Sequence, residues 1–163
     1  MNDRRRDSRQ YPERPIVGVG AVIVQDGRVL IVKRRYEPLA GRWSLPGGTL
    51  ELGETLEAGL AREMREETGL EVEVGPVIEV FDRIMLDEER RVRYHFVLVD
   101  YLCRPLSGDL CAGSDVDAAM FIDPRDLDAY DLTPKALAVV ARALEMAGAA
   151  NVYGHRERSI GDR

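Results

Sequence analysis

A glutamate-rich segment follows a pair of glycines in the first half of the chain. Within it, Glu63, Glu66 and Glu67 have the spacing of neighbours on one side of an α-helix. Carboxylates this close repel one another, and burial raises their pKa values, unless a cation lies between them. Oxygen ligands suit hard divalent cations, so the segment predicts a site for Mg²⁺, with Mn²⁺ as the alternative.

The position of these acids relative to the apolar residues supports that interpretation. On a helical wheel Glu67 falls between Leu56 and Leu60, and Met64 continues the same apolar stripe. A helix that only carries charge on its solvent face would place its glutamates opposite the stripe. That ordinary explanation fits Glu57 but not Glu67, which is expected to border the core.

The residues around the acids supply the turn and the helix ends that such a site needs. Gly47 and Gly48 let the backbone turn sharply and approach a ligand closely, which a Cβ would obstruct. Thr55 is a typical N-cap, and Gly69 has the position of a left-handed C-terminal residue. The sequence therefore predicts a glycine loop followed by a helix that ends at Gly69.

The same stretch resembles the Nudix box, which is a Gly, five residues, a Glu, seven residues, and then Arg-Glu-aliphatic-X-Glu-Glu-X-Gly-aliphatic. Every fixed position of this pattern is occupied here. The matching residues are Gly48, Glu54, Arg62, Glu63, Met64, Glu66, Glu67, Gly69 and Leu70. The resemblance implies an α/β fold, the Nudix α/β/α sandwich with a mixed central sheet.

The resemblance also implies roles for the box residues. The metal site would consist of Glu63, Glu66, Glu67 and Gly48. Glu66 or Glu67 would activate a water molecule, and Arg62 would orient the acids. Such a site suits the hydrolysis of a pyrophosphate bond with Mg²⁺, a reaction that requires no covalent intermediate.

Residues outside the helix are expected to complete the site. In this family a carboxylate from a loop near the late strands often joins the metal site or acts as base, and Asp117 is preferred here to Asp115. The basic run at residues 33–35 follows a strand and is interpreted as a solvated strand end. The expected substrate contacts are Gly47, Gly48, Arg42 and His95.

The substrate is predicted from the residues that flank the box. They resemble short ADP-ribose pyrophosphatases of the MutT-like branch, so the lead reaction is ADP-ribose to AMP and ribose 5-phosphate. An alternative is a (d)NTP pyrophosphohydrolase that removes oxidised or noncanonical nucleotides, because that branch shares the WxLPGGxxExGE sequence before the helix. A non-catalytic nucleotide sensor with a Nudix fold is a third alternative, disfavoured because every acid of the box is present.

Composition and charge limit the partners. The 163 residues are 45% hydrophobic, which is enough for the core of one domain. The net charge of −6 and the isoelectric point near 5.1 argue against nonspecific nucleic-acid binding, which needs a basic face. The sequence contains neither an apolar run of about eighteen residues nor a signal peptide, so we expect a cytoplasmic protein without a membrane partner. A homodimer is left open.

The chain is expected to contain one domain between two arms. We predict a flexible N-terminal arm over residues 1–14, a Nudix hydrolase domain over residues 15–147 and a flexible C-terminal tail over residues 148–163. Alternating apolar patterns predict strands. They cover residues 16–24, 28–35, 70–86, 91–103 and 115–123. The Asp26-Gly27 dipeptide predicts a tight hairpin, and a last helix is expected to run from Pro134 to Gly148.

Overall fold

The computed structural model describes residues 8–158, and it describes side chains as far as residue 148. The strands are β1 (Ile16–Gln25), β2 (Arg28–Arg34), β3 (Trp43–Ser44), β4 (Gly47–Thr49), β5 (Glu71–Leu86), β6 (Val92–Ser107) and β7 (Val116–Ile122). The helices are α1 (Leu56–Thr68), a 3₁₀ helix (Pro124–Tyr130) and α2 (Pro134–Arg158). The long predicted strands and both predicted α-helices are therefore present, while β3, β4 and the 3₁₀ helix had not been expected.

The sheet is mixed, as predicted, and β1 is its central strand. β1 pairs in parallel with β6, from Ile16 opposite Phe96 to Ile23 opposite Cys103, and antiparallel with β2 and β4. β5 extends the sheet beyond β6, while β3 and β7 pair with β2. The predicted hairpin is confirmed, since Asp26 and Gly27 have φ values of 51° and 73° between paired strands.

Alternate residues of β1 bury their side chains on opposite faces of the sheet. Val19 and Ala21 pack with Leu60 and Met64 of α1, whereas Val22 belongs to the cluster formed with α2. Helices thus cover both faces, which confirms the α/β/α sandwich. Gly18 and Gly20 share the α2 side with Val22 by the same alternation, and their missing side chains leave space there.

One expectation about the chain ends differs from the structure, and one residue of the N-terminal arm contacts the sheet. Helix α2 continues through Gly148 to Arg158, so the prediction that Gly148 ends it is wrong. A helical glycine costs only about 1 kcal/mol, and the alanines that follow favour continuation. In the N-terminal arm, the Tyr11 N–H donates to the Arg93 carbonyl at 2.8 Å. Residues 1–7 and 159–163 lie outside the described part.

No helix among residues 8–158 is both long enough and apolar enough to cross a membrane.

The two ends of α1 match the sequence prediction. The Thr55 hydroxyl accepts from the Ala58 N–H at 3.1 Å, and Gly69 adopts φ 72° while its N–H donates to the Arg65 carbonyl. Helix α1 therefore begins and ends at fixed points, which fixes the position of the acids that it carries.

We predict opposite effects of two Gly→Ala substitutions on the free energy of unfolding. Gly69→Ala forces a left-handed conformation on alanine and brings its Cβ to 2.7 Å from the Asp109 carbonyl oxygen, so it should lower that free energy by about 1–2 kcal/mol. Gly148→Ala lies within a helix and meets no atom within 4 Å, so it should raise it by up to about 1 kcal/mol. Urea unfolding of both variants measures the two signs, and a stable Gly69→Ala variant would contradict the cap.

Candidate active site

A cleft of about 930 Å³ opens beside the glycines of β1 and the loop that precedes α1. Glu63, Glu66 and Glu67 line it from α1. Arg83 of β5 and Asp100 of β6 line it from the sheet. The cleft therefore has two charged parts. Glu63, Glu66 and Glu67 form an acidic wall on one side, and Arg83 and Asp100 lie on the sheet.

The guanidinium group of Arg62 organises the acidic wall. Its Nε donates to Glu54 Oε1 at 2.5 Å. Its Nη1 donates to Glu63 Oε1 at 2.9 Å and to Glu66 Oε2 at 3.2 Å, so the contact expected between Arg62 and Glu66 is present. The hydrogen bonds from Arg62 are the main cause of the lowered pKa of Glu54, about 2. Glu54 is therefore ionised at neutral pH, and its carboxylate holds the Arg62 guanidinium in place.

Glu67 has a different environment. The Gly47 N–H donates to its Oε2 at 2.9 Å, and no other hydrogen bond to this carboxylate arises from the described residues. Burial of the carboxyl group raises its pKa to about 8, and the charges of Glu63 and Asp115 add to the shift, while Arg34 opposes it. Part of the residue remains accessible through the cleft. Glu67 is therefore an enclosed acid that faces the ligand space.

The missing side chain of Gly48 is what admits Glu63. A Cβ on Gly48 would lie 2.2 Å from the Glu63 carboxyl carbon, so any other residue would displace the Glu63 carboxylate from this position. Glu63 is buried, with 9% of its surface exposed, and burial raises its pKa even though Arg62 opposes the shift. The β4 backbone and the Glu63 carboxylate therefore share one wall of the cleft.

The chemistry of these residues suits a divalent metal ion. Two acids with raised pKa values lie beside Glu66, and one guanidinium serves several carboxylates, so added positive charge is favoured there. Among the side chains that the structure describes, residues 8–148, no three carboxylate, imidazole or thiol groups converge on one point. The reason is local, because Arg62 binds Glu63 and Glu66 while Gly47 binds Glu67.

The position predicted for the additional carboxylate needs correction. A β-bulge in the pairing of β7 with β2 skips Asp117, and this carboxylate accepts from Arg35 Nε at 2.7 Å on the exposed surface. Asp115 lines the cleft instead. Its charge adds to the raised pKa values of Glu63 and Glu67, which places it near the acidic wall.

Two predicted substrate contacts do not line the cleft, whereas Gly47 and Gly48 do. The Arg42 Nη2 donates to the Asp131 carbonyl at 2.8 Å, because the chain directs Arg42 towards the end of the 3₁₀ helix. His95 lies on the opposite face of β6 from Phe96, which lines the cleft, since neighbouring strand residues face opposite sides. Neither Arg42 nor His95 is positioned for the predicted contact.

The sequence prediction missed several charged residues that line the cleft, and three of them bear on its chemistry. Arg34, assigned to a solvated strand end, is buried enough to lower its pKa, and the nearby Glu67 opposes that shift. Arg83 and Asp100 are the other two. Asp100 had a recognisable signal, because it is a lone acid within the run of strand formers HFVLVDYLC.

Comparison with known proteins identifies the family. The NUDIX domain profile matches residues 14–143. The chain belongs to the Nudix hydrolase family. Its sequence is 34% identical over 126 residues to an ADP-ribose pyrophosphatase of Methanocaldococcus jannaschii, an alignment that covers 76% of this chain and 72% of that protein. A CTP pyrophosphohydrolase of Escherichia coli is 38% identical over 66 residues, or 40% of this chain and 49% of that protein.

A solved structure agrees with the Nudix assignment. The crystal structure of a MutT NUDIX hydrolase from Burkholderia pseudomallei superposes with a TM-score of 0.70 at 34% identity, covering 80% of this chain and 98% of that one. The predicted family and fold are therefore confirmed. This chain is a Nudix pyrophosphohydrolase, and the acids of the acidic wall belong to its Nudix box.

We predict that Glu67 makes the stability of the metal-free protein depend on pH. Its pKa is about 8 in the folded chain, against an ordinary value of 4.5. The favourable contribution is fully present below pH 4.5 and is lost as the pH rises through about 8, because the folded state holds the proton more tightly. In a chelating buffer, Glu67→Gln should therefore gain stability relative to wild type from pH 5 to pH 8.

Urea unfolding at three pH values measures this difference. Glu57→Gln is the matched control, because Glu57 is exposed on the same helix and should keep a constant offset from wild type. An offset for Glu67→Gln that does not change with pH would show that Glu67 is not an enclosed acid.

Proposed function

We propose that the chain hydrolyses ADP-ribose to AMP and ribose 5-phosphate with Mg²⁺ as cofactor. The observation that carries the proposal is the enclosed Glu67 carboxylate beside Glu63, held by the β4 backbone at the wall of a cleft. The name of the Methanocaldococcus jannaschii relative supports ADP-ribose as the substrate. The size of the cleft supports a ligand larger than a diphosphate alone.

The proposed metal ligands are carboxylates of α1 and the backbone of β4. They are Glu63, Glu66, Glu67 and Gly48. Bound Mg²⁺ would neutralise diphosphate oxygens and lower the pKa of a water molecule. Arg62 would keep Glu66 oriented through its hydrogen bond. With the positive charge of Mg²⁺ beside them, the enclosed carboxylates would accommodate a ligand that is itself negatively charged.

Glu67 is the favoured proton acceptor in this proposal. Its carboxylate faces the cleft, while Glu66 is exposed and hydrogen-bonded to Arg62. Water would add to one phosphorus of the P–O–P bridge, the bridging oxygen would leave with the other phosphate, and Glu67 would take the proton from the water. Arg34 lines the cleft and interacts electrostatically with Glu67, and it would bind a phosphate oxygen. Asp115 is the second candidate for the base.

A (d)NTP pyrophosphohydrolase is the alternative function. The match to the CTP pyrophosphohydrolase of Escherichia coli favours it, although this chain aligns with only 49% of that protein. The box residues serve both reactions equally, because each breaks a phosphoanhydride beside a nucleoside. A sensor without catalysis is less supported, since all box acids are retained.

We predict that ADP-ribose is turned over faster than any nucleoside triphosphate when Mg²⁺ is present. Initial rates over a panel of ADP-ribose, dNTPs, 8-oxo-dGTP and CTP, with products separated by chromatography, measure this ranking. AMP with ribose 5-phosphate is the product pair expected from ADP-ribose. A faster release of pyrophosphate from a triphosphate would replace ADP-ribose with the alternative.

We predict that Glu66→Gln and Glu67→Gln each lower kcat for the leading substrate by about a hundredfold or more, because each removes a charge that the transition state needs. Glu57→Gln changes the same residue type on the exposed side of α1 and should retain the rate. Full activity in both site variants would remove these carboxylates from the mechanism, whatever the substrate.

A further inference from the structure

Asp100 is a buried carboxylate that the proposed hydrolysis does not use. It retains 6% of its surface and lines the cleft. Among the described residues, none donates a hydrogen bond to its side chain. Arg42 Nε is the only fully buried side-chain N or O atom without a hydrogen-bond partner among the described residues, so the Asp100 oxygens keep some accessible surface. They are therefore acceptors that a donor group on a ligand in the cleft can reach.

The fold makes room for this carboxylate. Gly20 of β1 lies opposite Asp100 of β6, and a Cβ on Gly20 would come to 2.3 Å from Asp100 Oδ1. Gly20 also lies opposite Gly47 of β4. Two strand spacings, or about 10 Å, thus separate Asp100 from the glycine whose N–H binds Glu67. A nucleotide is long enough to span that separation, so a ligand with its phosphates at Glu67 can reach Asp100 with its nucleoside within the same cleft.

The charges around Asp100 favour a neutral donor group over a second metal ion. Arg83 and Glu79 face it from β5, and Lys135 faces it from α2. Burial raises the pKa of Asp100 to about 6, and Arg83 opposes the shift, so the group is mostly ionised at neutral pH. Arg83 and Lys135 supply positive charge, which makes the position unfavourable for a divalent cation.

Aromatic rings give the same part of the cleft flat apolar surfaces. Phe81, Phe96 and Trp43 all line it. Tyr94 stacks against Phe96 at 6.0 Å, and Trp43 meets Tyr130 edge to face at 5.4 Å. Nucleobases stack on such rings with a large flat contact. The aromatic lining of the cleft therefore favours a base as the group recognised by Asp100.

We propose that Asp100 determines the base specificity of this enzyme by accepting hydrogen bonds from an N–H edge of the nucleobase. The inference depends on the proposed function only in that the ligand is a nucleotide. An amino group of adenine and the N–H pair of guanine share this donor chemistry. The two bases are distinguished by the experiment.

The test measures nucleotide binding without hydrolysis. Calorimetric titrations with AMP and purine riboside 5′-monophosphate compare ligands with and without the adenine amino group, and GMP and IMP do the same for guanine. Wild type should bind the amino-bearing member of one pair at least about tenfold more tightly. The pair that shows this difference identifies the base.

Variants assign the discrimination to Asp100. Asp100→Leu should abolish it, and Gly20→Ala should reduce it because its Cβ displaces the Asp100 carboxyl group. Asp100→Asn keeps the shape and should also reduce discrimination, so a poorly folded Leu variant does not end the test. Glu79→Gln is the matched control, since Glu79 lies beside Asp100 and pairs with Lys135 Nζ at 2.5 Å. It should retain the wild-type difference.

Two results would overturn the proposal. One is equal binding of both members of each pair by wild type. The other is unchanged discrimination in folded Asp100→Leu and Asp100→Asn. A protein that fails to hydrolyse ADP-ribose but loses base discrimination in these variants would refute the proposed function and support this inference.

Discussion

The close approach of the β4 backbone to the carboxylates of α1 is the constraint on which the site depends. Gly48 leaves the space that the Glu63 carboxyl group occupies, and the Gly47 N–H holds Glu67. A side chain at Gly48 would displace the Glu63 carboxyl group from the β4 backbone. Arg62 then binds the acids on its side, with Glu54 as its counterion. The Nudix box is thus one packed unit in which these residues hold one another's side chains in position.

The remainder of the fold keeps that unit rigid and shapes the space in front of it. Leu60 and Met64 bury one side of α1 against the sheet, and capped ends prevent the helix from shifting. On the other face, glycines of β1 make room for side chains of β6. At Gly20 the carboxylate of the neighbouring Asp100 fills the space of the missing side chain. The acidic wall and the Asp100 carboxylate are therefore held by different elements around one strand.

Local sequence features predicted the elements that local chemistry determines. Thr55 and Gly69 defined α1, and the Asp26-Gly27 turn defined the first hairpin. Side-chain directions in the cleft depend on non-local pairing and were predicted less well. A bulge turned Asp117 outwards, and strand alternation turned His95 away. No periodicity within one segment reveals which face of a strand will meet a distant helix.

Metal binding by the acidic wall is the most direct measurement of the central claim. Calorimetric titration with Mg²⁺, in the presence of a nonhydrolysable diphosphate nucleotide, compares wild type with Gly48→Ala. We predict binding by wild type and an affinity at least about tenfold lower in Gly48→Ala, because the added methyl group displaces the Glu63 carboxylate. Equal affinity in the two folded proteins, or no binding by wild type, would contradict it.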